Sequence, residues 1–244
     1  MPVREIIAGG KSLPDSDWVF PDPLQADPNT DVIALGADLH PATVLQGYAQ
    51  GLFPMYLSSE ETSSEETSSE ERTGQSQLAW WSPNPRGILP LEAFRLHRSL
   101  RKSRGRFVVT CDTRFTDVMY SCQRPTEDGQ WITRDFIETY SHLHQLGYAH
   151  SVEVWNRSGE LVGGLYGIEL GGLFAGESMF SRERDASKVA LLFLVEKLRA
   201  CGGNRILDVQ WRTEHLASLG VVEIPRTDYV HRLHKVIHTS PCFG

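Results

Sequence analysis

Asp208 and Gln210 stand two residues apart in the segment ILDVQ, and upstream Glu177 stands in LFAGESMF among glycine and apolar side chains. A carboxylate in an apolar strand is costly unless a partner meets it. Asp208 follows Ile206 and Leu207, so its partner is either an internal cation at the strand end or a cationic group on a ligand. Side chains repeat every two residues along a strand, which predicts Asp208 and Gln210 on one face. If the strand bearing Glu177 is a neighbour, the three line one cleft. Two carboxylates there could hold a cation while the amide aligns a reacting group. Lys188 is the other residue out of place, since a cation in the first turn of a helix opposes the macrodipole. Either Asp185 caps the helix and compensates, with surface pairing, or Arg182, Arg184 and Lys188 meet a phosphate.

These residues need a scaffold, and the pattern of apolar residues and glycines supplies one. PATVLQGYAQG reads as a short helix with Leu45, Tyr48, Ala49 and Leu52 on one face, ended by Gly51. RFVVTCD is strand-like, and TRFTDVMYSCQR reads as a helix with Thr113 as its cap. The stripe Phe136, Ile137, Tyr140, Leu143 and Leu146 marks a helix stopped by Gly147. Three strands follow over 151–155, 161–170 and 173–179, with hairpin turns at 157–159 and 171–172. A helix over 186–200, the strand RILDVQ, a short helix in TEHLASLG, and a last strand and helix complete the chain. This order predicts an α/β (α+β) fold, a mixed and mainly antiparallel sheet with flanking helices, rather than a Rossmann repeat. The expected division is a small N-terminal domain over residues 1–84 and a larger one over 85–244.

Composition narrows the function. The 244 residues are 40% hydrophobic and 23% charged, with no apolar run long enough for a membrane helix and no signal-peptide core. A cytoplasmic protein with no membrane partner is expected, a monomer by default. Cys111, Cys122, Cys201 and Cys242 form no C-x-x-C pair and read as reduced thiols, neither disulfides nor metal ligands. The net charge of −7 owes most to SSEETSSEETSSEE, whose six glutamates would leave −1 if removed. Having nothing apolar to bury, that insert (about 57–77) reads as a solvated linker. No phosphate-binding loop, dinucleotide fingerprint or H-E-x-x-H occurs, and no cofactor or metal is expected. RLHRSLRKSRGR places Arg98, Arg101, Lys102 and Arg104 on a short helix, either a solvated surface or a track for RNA phosphates. Trp80, Trp81 and Trp131 open segments, where they either pack in the core or stack on unpaired bases. Two adjacent tryptophans in a strand facing one core are not both expected to be buried, which favours a ligand role for one of Trp80 and Trp81.

At these residues the chain resembles the leucyl/phenylalanyl-tRNA–protein transferases. The likeness runs through LGADLHPATVLQGYAQGLFP, WWSPNPRGILP, WITRDFIETYSHLHQLGYAHSVEVW, ELVGGLYGI, LFAGESMFSR, ASKVAL, LDVQ and HLASLGVVEIPR. It implies transfer of Leu or Phe, less readily Met, from aminoacyl-tRNA to the N-terminal Arg or Lys of a protein, marking that protein for N-end-rule degradation. It also implies a larger domain like the Gcn5-type acetyltransferases. By the resemblance the catalytic pair falls on Asp208 and Gln210, the acceptor-binding carboxylate on Glu177 and the adenosine-stacking tryptophan on Trp131. Where relatives carry a second aromatic, this chain has Met55, which packs on a base but stacks less specifically. An apolar pocket including Met179 and Phe180 is expected for the transferred side chain. Acyl-CoA chemistry is the rival on the same fold, but SRERDASK offers no glycine for a pyrophosphate loop.

Overall fold

Strands form where the β-branched and aromatic runs lie, and glycines set where they end. The computed structural model describes residues 15–57, 77–123 and 132–243; the acidic repeat and Trp131 lie outside the described residues. In the N-terminal part, β1 (Val32–Leu35), β2 (Phe53–Tyr56) and β3 (Leu78–Trp81) form an antiparallel sheet of order β1-β3-β2. The division expected near residue 84 falls between β3 and β4 (Arg86–Ile88). From there the sheet is built of β4, β5 (Val108–Cys111), β6 (Ala149–Trp155), β7 (Leu161–Leu170), β8 (Leu173–Ser181), β9 (Ile206–Gln210) and β10 (Val222–Ile224). Its order is β10-β4-β9-β8-β7-β6-β5, antiparallel except for β8 beside β9.

Helices cover both faces of this sheet. α1 (Pro41–Ala49), α3 (Phe115–Cys122), α4 (Arg134–Gln145) and α7 (Arg226–Val236) share one buried cluster with the small sheet, through Tyr48, Trp80, Val118, Tyr140 and Leu233. α2 (Arg98–Arg104), α5 (Ala186–Cys201) and α6 (Glu214–Leu219) pack a second cluster through Leu100, Leu192, Leu198 and Leu219. This is the mixed sheet with flanking helices that the sequence predicts. α5 joins the parallel pair, which needs a crossover rather than a hairpin.

Four expectations are corrected. Trp80 and Trp81 are both buried, 0% and 5% exposed, because β3 is the central strand of the small sheet and is covered on each side. Their indoles donate to Gly36 O at 3.1 Å and Met55 O at 3.2 Å. α3 starts one residue later than predicted, after Arg114; the Thr113 hydroxyl donates instead to Glu153 at 3.0 Å. Asp185 flanks α5 at φ +71° but its carboxylate caps no helix N–H. It binds Ser103 at 2.8 Å and the Lys188 ammonium at 3.5 Å. Cys201 and Cys242 form a disulfide with Cα atoms 5.9 Å apart. Sequence separation hid this pairing: the buried Glu169 accepts from the backbone N–H of Cys242 at 2.6 Å and of Phe243 at 2.9 Å. Those two bonds turn the C-terminal segment back to the end of α5.

One irregularity positions the site. The β7–β8 register runs from Tyr166↔Ser178 to Gly167↔Gly176, so Glu177 is the extra residue of a bulge. Gly167 makes that bulge possible, since a Cβ there would run into the Ala175 carbonyl oxygen and the Phe174 ring. Gly167→Ala is expected to destabilise the fold by about 1–3 kcal/mol through overpacking, measured as a shift of the urea midpoint with unchanged m-value.

Candidate functional site: a cleft where two parallel strands part

β8 and β9 pair at Leu173↔Ile206, Phe174↔Leu207 and Ala175↔Asp208, and no further. Beyond that point a cavity of about 360 Å³ opens, lined by Glu177, Met179 and Gln210 among others, with Leu191 and Leu194 of α5 and Leu216 of α6 forming an apolar wall. Alternation along β8 sends Met179 toward the α5 cluster and Phe180, 4% exposed, into the opposite cluster. Both residues border the cavity.

Asp208 is fully buried, and the partner it requires is internal. The Arg86 guanidinium grips it with Nε at 2.9 Å from Oδ1 and Nη2 at 2.6 Å from Oδ2. The Tyr229 hydroxyl donates to Oδ2 at 2.8 Å and the Gln210 backbone N–H to Oδ1 at 2.9 Å. Four donors fill a carboxylate's acceptor sites, so of the two sequence readings the internal cation holds for Asp208. Its contact with Gln210 is through the backbone, not the side-chain amide. Arg86 is 1% exposed, lies over the Phe53 and Tyr229 rings and donates through Nη1 to Gly51 O at 3.2 Å. Burial opposes its charge, but Asp208 more than offsets this and keeps the guanidinium pKa above its usual value.

Gln210 departs from regular strand. Its φ is +59°, and the N–H of Trp211 donates to Val209 O at 2.7 Å, closing a γ-turn around it. Non-glycine residues held in such a conformation cost of order 1–3 kcal/mol and gather at functional sites. The turn breaks the two-residue alternation on which the sequence prediction relied. Gln210 is 7% exposed and its side-chain Nε2 is buried without a hydrogen-bond partner.

Glu177 lies on the same side of the sheet as Asp208, in a different environment. Tyr48 of α1 donates to its Oε1 at 2.6 Å, and Tyr140 of α4 stands 3.4 Å from Oε2 and 2.7 Å from the Tyr48 oxygen. Burial lifts the Glu177 pKa to about 7; the Tyr48 hydrogen bond opposes this, Asp208 adds to it, and Arg86 and Tyr140 oppose it. Glu177 and Gln210 thus line the cavity together, while Asp208, fully buried and no part of its wall, stands behind them holding the Gln210 backbone. Arg86 and Tyr229 hold Asp208, Tyr48 and Tyr140 hold Glu177, and sequence reasoning gave none of the four a part in the site. Arg86 stands in the quoted segment WWSPNPRGILP, but nothing in that segment marks it as the partner of Asp208.

The other predicted residues lie apart. Met55 is half-buried on β2 opposite Ala79. Arg98, Arg101, Lys102 and Arg104 are exposed on α2, as the helix reading predicts, and Arg104 is paired with Glu196 of α5 at 2.7 Å. Asp112, His144 and His150 also gather, but hydrogen bonds already use their facing atoms. His150 Nδ1 meets Asp112 at 2.8 Å and His144 Nδ1 meets Ala149 O at 2.8 Å. No helix among the described residues is long and apolar enough to cross a membrane.

Known proteins resemble this chain over most of its length. The family described as leucyl/phenylalanyl-tRNA protein transferase matches residues 88–234, and the N-terminal domain described under the same name matches residues 37–62. The leucyl/phenylalanyl-tRNA–protein transferase of Sulfurimonas denitrificans is 44% identical over 223 residues, 90% of each chain. That of Herpetosiphon aurantiacus is 47% identical over 208 residues, 84% of this chain and 98% of the relative. Among solved structures, L-PGS from Bacillus licheniformis aligns with 55% of this chain and 48% of its own, at 12% identity and a TM-score of 0.39. The protein is an aminoacyltransferase. More narrowly, the chain belongs to the leucyl/phenylalanyl-tRNA–protein transferase family.

The dependence of the cleft on the Arg86–Asp208 pair is testable. Removing one partner of a buried ion pair typically costs about 3–5 kcal/mol, because the other charge is left unpaired. Arg86→Ala is expected to lose that much in urea unfolding.

Proposed function

We propose that the chain transfers Leu or Phe, and less readily Met, from aminoacyl-tRNA to the N-terminal Arg or Lys of a protein, marking it for N-end-rule degradation. The observation that carries this reading is Glu177, a carboxylate enclosed by two tyrosine hydroxyls at the edge of an apolar cavity with no cation of its own in hydrogen-bond contact among the described residues. A guanidinium or ammonium entering the cleft supplies that cation. The apolar side of the cavity, with Met179, Leu191 and Leu194, receives the transferred side chain, and Phe180 backs it from the opposite face of β8. Such pockets discriminate by only about 1–3 kcal/mol per methylene, which suits acceptance of several large apolar residues.

The chemistry is aminolysis of an ester. The neutral α-amine attacks the ester carbonyl, a C–N bond forms, the bond to the ribose oxygen breaks, and the proton lost by nitrogen ends on that oxygen. The ester is already activated, so no nucleotide hydrolysis is needed. Alignment of two bound substrates is the largest effect available, up to about 7–11 kcal/mol. Gln210 supplies an amide for that alignment, its Oε1 accepting from the amine. Asp208 acts on Gln210 by holding its backbone in the γ-turn. Trp131 and Met55 are assigned to the terminal adenosine, and Arg98, Arg101, Lys102 and Arg104 to tRNA phosphates.

The direct test mixes the purified chain with Leu-tRNA and peptides beginning with Arg, Lys, Asp or Ala. Transfer to the first two alone is expected; transfer chiefly to Asp would refute the role given to Glu177.

Glu177 also predicts a pH dependence. Its folded-state pKa of about 7 lies above the ordinary 4.5. The fold thus holds a proton that the unfolded chain releases, and stability is lost as pH rises from 4.5 through about 7. Glu177→Gln is expected to melt progressively higher than the natural chain between pH 5 and pH 8. The same variant should raise KM for Arg-peptides at pH 8, and a melting difference that does not change with pH would contradict the assignment.

A further inference from the structure

Trp211 follows Gln210 directly and has no place in the chemistry above. It is 37% exposed, and among the exposed large apolar side chains of the described residues it is the one next in the chain to the cavity. It is nonetheless firmly held. Its indole meets Phe53 at 5.2 Å and 89° and Trp81 at 6.0 Å and 71°, and its Nε1 donates to Asp31 at 3.3 Å. Gly87 gives its backbone room, since a Cβ there would lie 2.9 Å from the Trp211 carbonyl carbon. Both aromatic neighbours cross it steeply, so no ring among the described residues lies parallel on it.

The γ-turn ties this indole to the site. A hydrogen bond from the Trp211 N–H closes the strained turn around Gln210, so the amide and the indole are fixed by one piece of backbone. Phe53 and Trp81, which cradle the indole, are directly paired across β2 and β3, and Met55 lies two residues along the same face of β2. The exposed aromatic therefore stands between the reactive end of β9 and the face of the small sheet that carries Met55.

We propose that Trp211 is a stacking platform for an unpaired nucleobase at the 3′ end of the aminoacyl-tRNA. The proposal rests on the transferase reading, because the ester is borne by the terminal ribose. With its carbonyl at Gln210, the last bases of the strand lie within a nucleotide or two of the neighbouring side chain. Every base has a π-face, so an aromatic platform grips the shared 3′ end of different tRNAs without reading their sequence. Acceptor recognition falls to Glu177, which is held by α1 and α4 rather than by the small sheet.

The test uses the full chain carrying Trp211→Ala or Trp211→Phe. Affinity is measured for an intact uncharged leucine tRNA and for the same tRNA trimmed of its last three nucleotides. Trp211→Ala is expected to weaken binding of the intact tRNA about 5- to 150-fold, the range for one base stacked on an aromatic side chain. Trp211→Phe should keep most of that binding, and the trimmed tRNA should bind Trp211→Ala and the natural chain equally. In transfer assays the KM for aminoacyl-tRNA should rise and that for the acceptor peptide should not. Equal weakening toward both tRNAs, or a rise in the peptide KM alone, would overturn this proposal while leaving the transferase reading intact. A natural chain that binds neither tRNA and transfers nothing would overturn both.

Discussion

The buried pair of Arg86 and Asp208 is the constraint on which the rest of the site depends. Its two charged groups come from adjacent strands, β4 and β9, and Arg86 reaches on to the Gly51 carbonyl beyond α1. Tyr229 brings in α7. A buried ion pair is weak evidence of stability, since desolvation cancels much of the attraction. Its effect here is positional. Asp208 is the last residue of β9 paired to β8, so anchoring it fixes the point at which the strands part and the cavity begins.

Two carboxylates a short way apart are thereby given opposite characters. Asp208 has four donors and a dedicated cation, so it is a closed element of the framework. Glu177 has two phenolic neighbours and a pKa lifted by burial, with Arg86 already committed elsewhere. Pairs of acidic groups pushed apart by their surroundings are a recurrent way to divide tasks between chemically similar side chains. Tyr48 and Tyr140 are buried as well, and burial followed by the charge of Glu177 keeps both phenols well above their usual pKa. They remain proton donors to the carboxylate throughout the neutral range.

How much of this the sequence discloses depends on the range of the interactions. β7, β8, α4 and α5 were legible because their apolar spacing is strong and their ends carry glycine. The meeting of Glu177 and Gln210 at one cavity was legible because strand, crossover helix and strand follow one another in the chain. The cation on Asp208 was not, for Arg86 lies 122 residues away in sequence and no local spacing encodes that meeting. Nor was the γ-turn, because Gln210 is neither glycine nor asparagine and gives no sign of a positive φ. The burial of both Trp80 and Trp81 depends on β3 being a central strand. The disulfide depends on where Glu169 turns the C-terminal segment. Each is a tertiary fact that composition cannot carry.

The small sheet has one more property. At the end of the β2–β3 pairing the N–H of Leu57 donates to the carbonyl of Gln77 at 2.9 Å, which holds two points of the chain together on a single hydrogen-bonded rung. The entropy of closing a loop between such fixed points grows only logarithmically, about 0.6 kcal/mol for each doubling of length. That rung is accordingly a clamp on the ends of the two strands. It fixes the register of β2 against β3 at their open end at a cost that depends only weakly on the length of chain joining them.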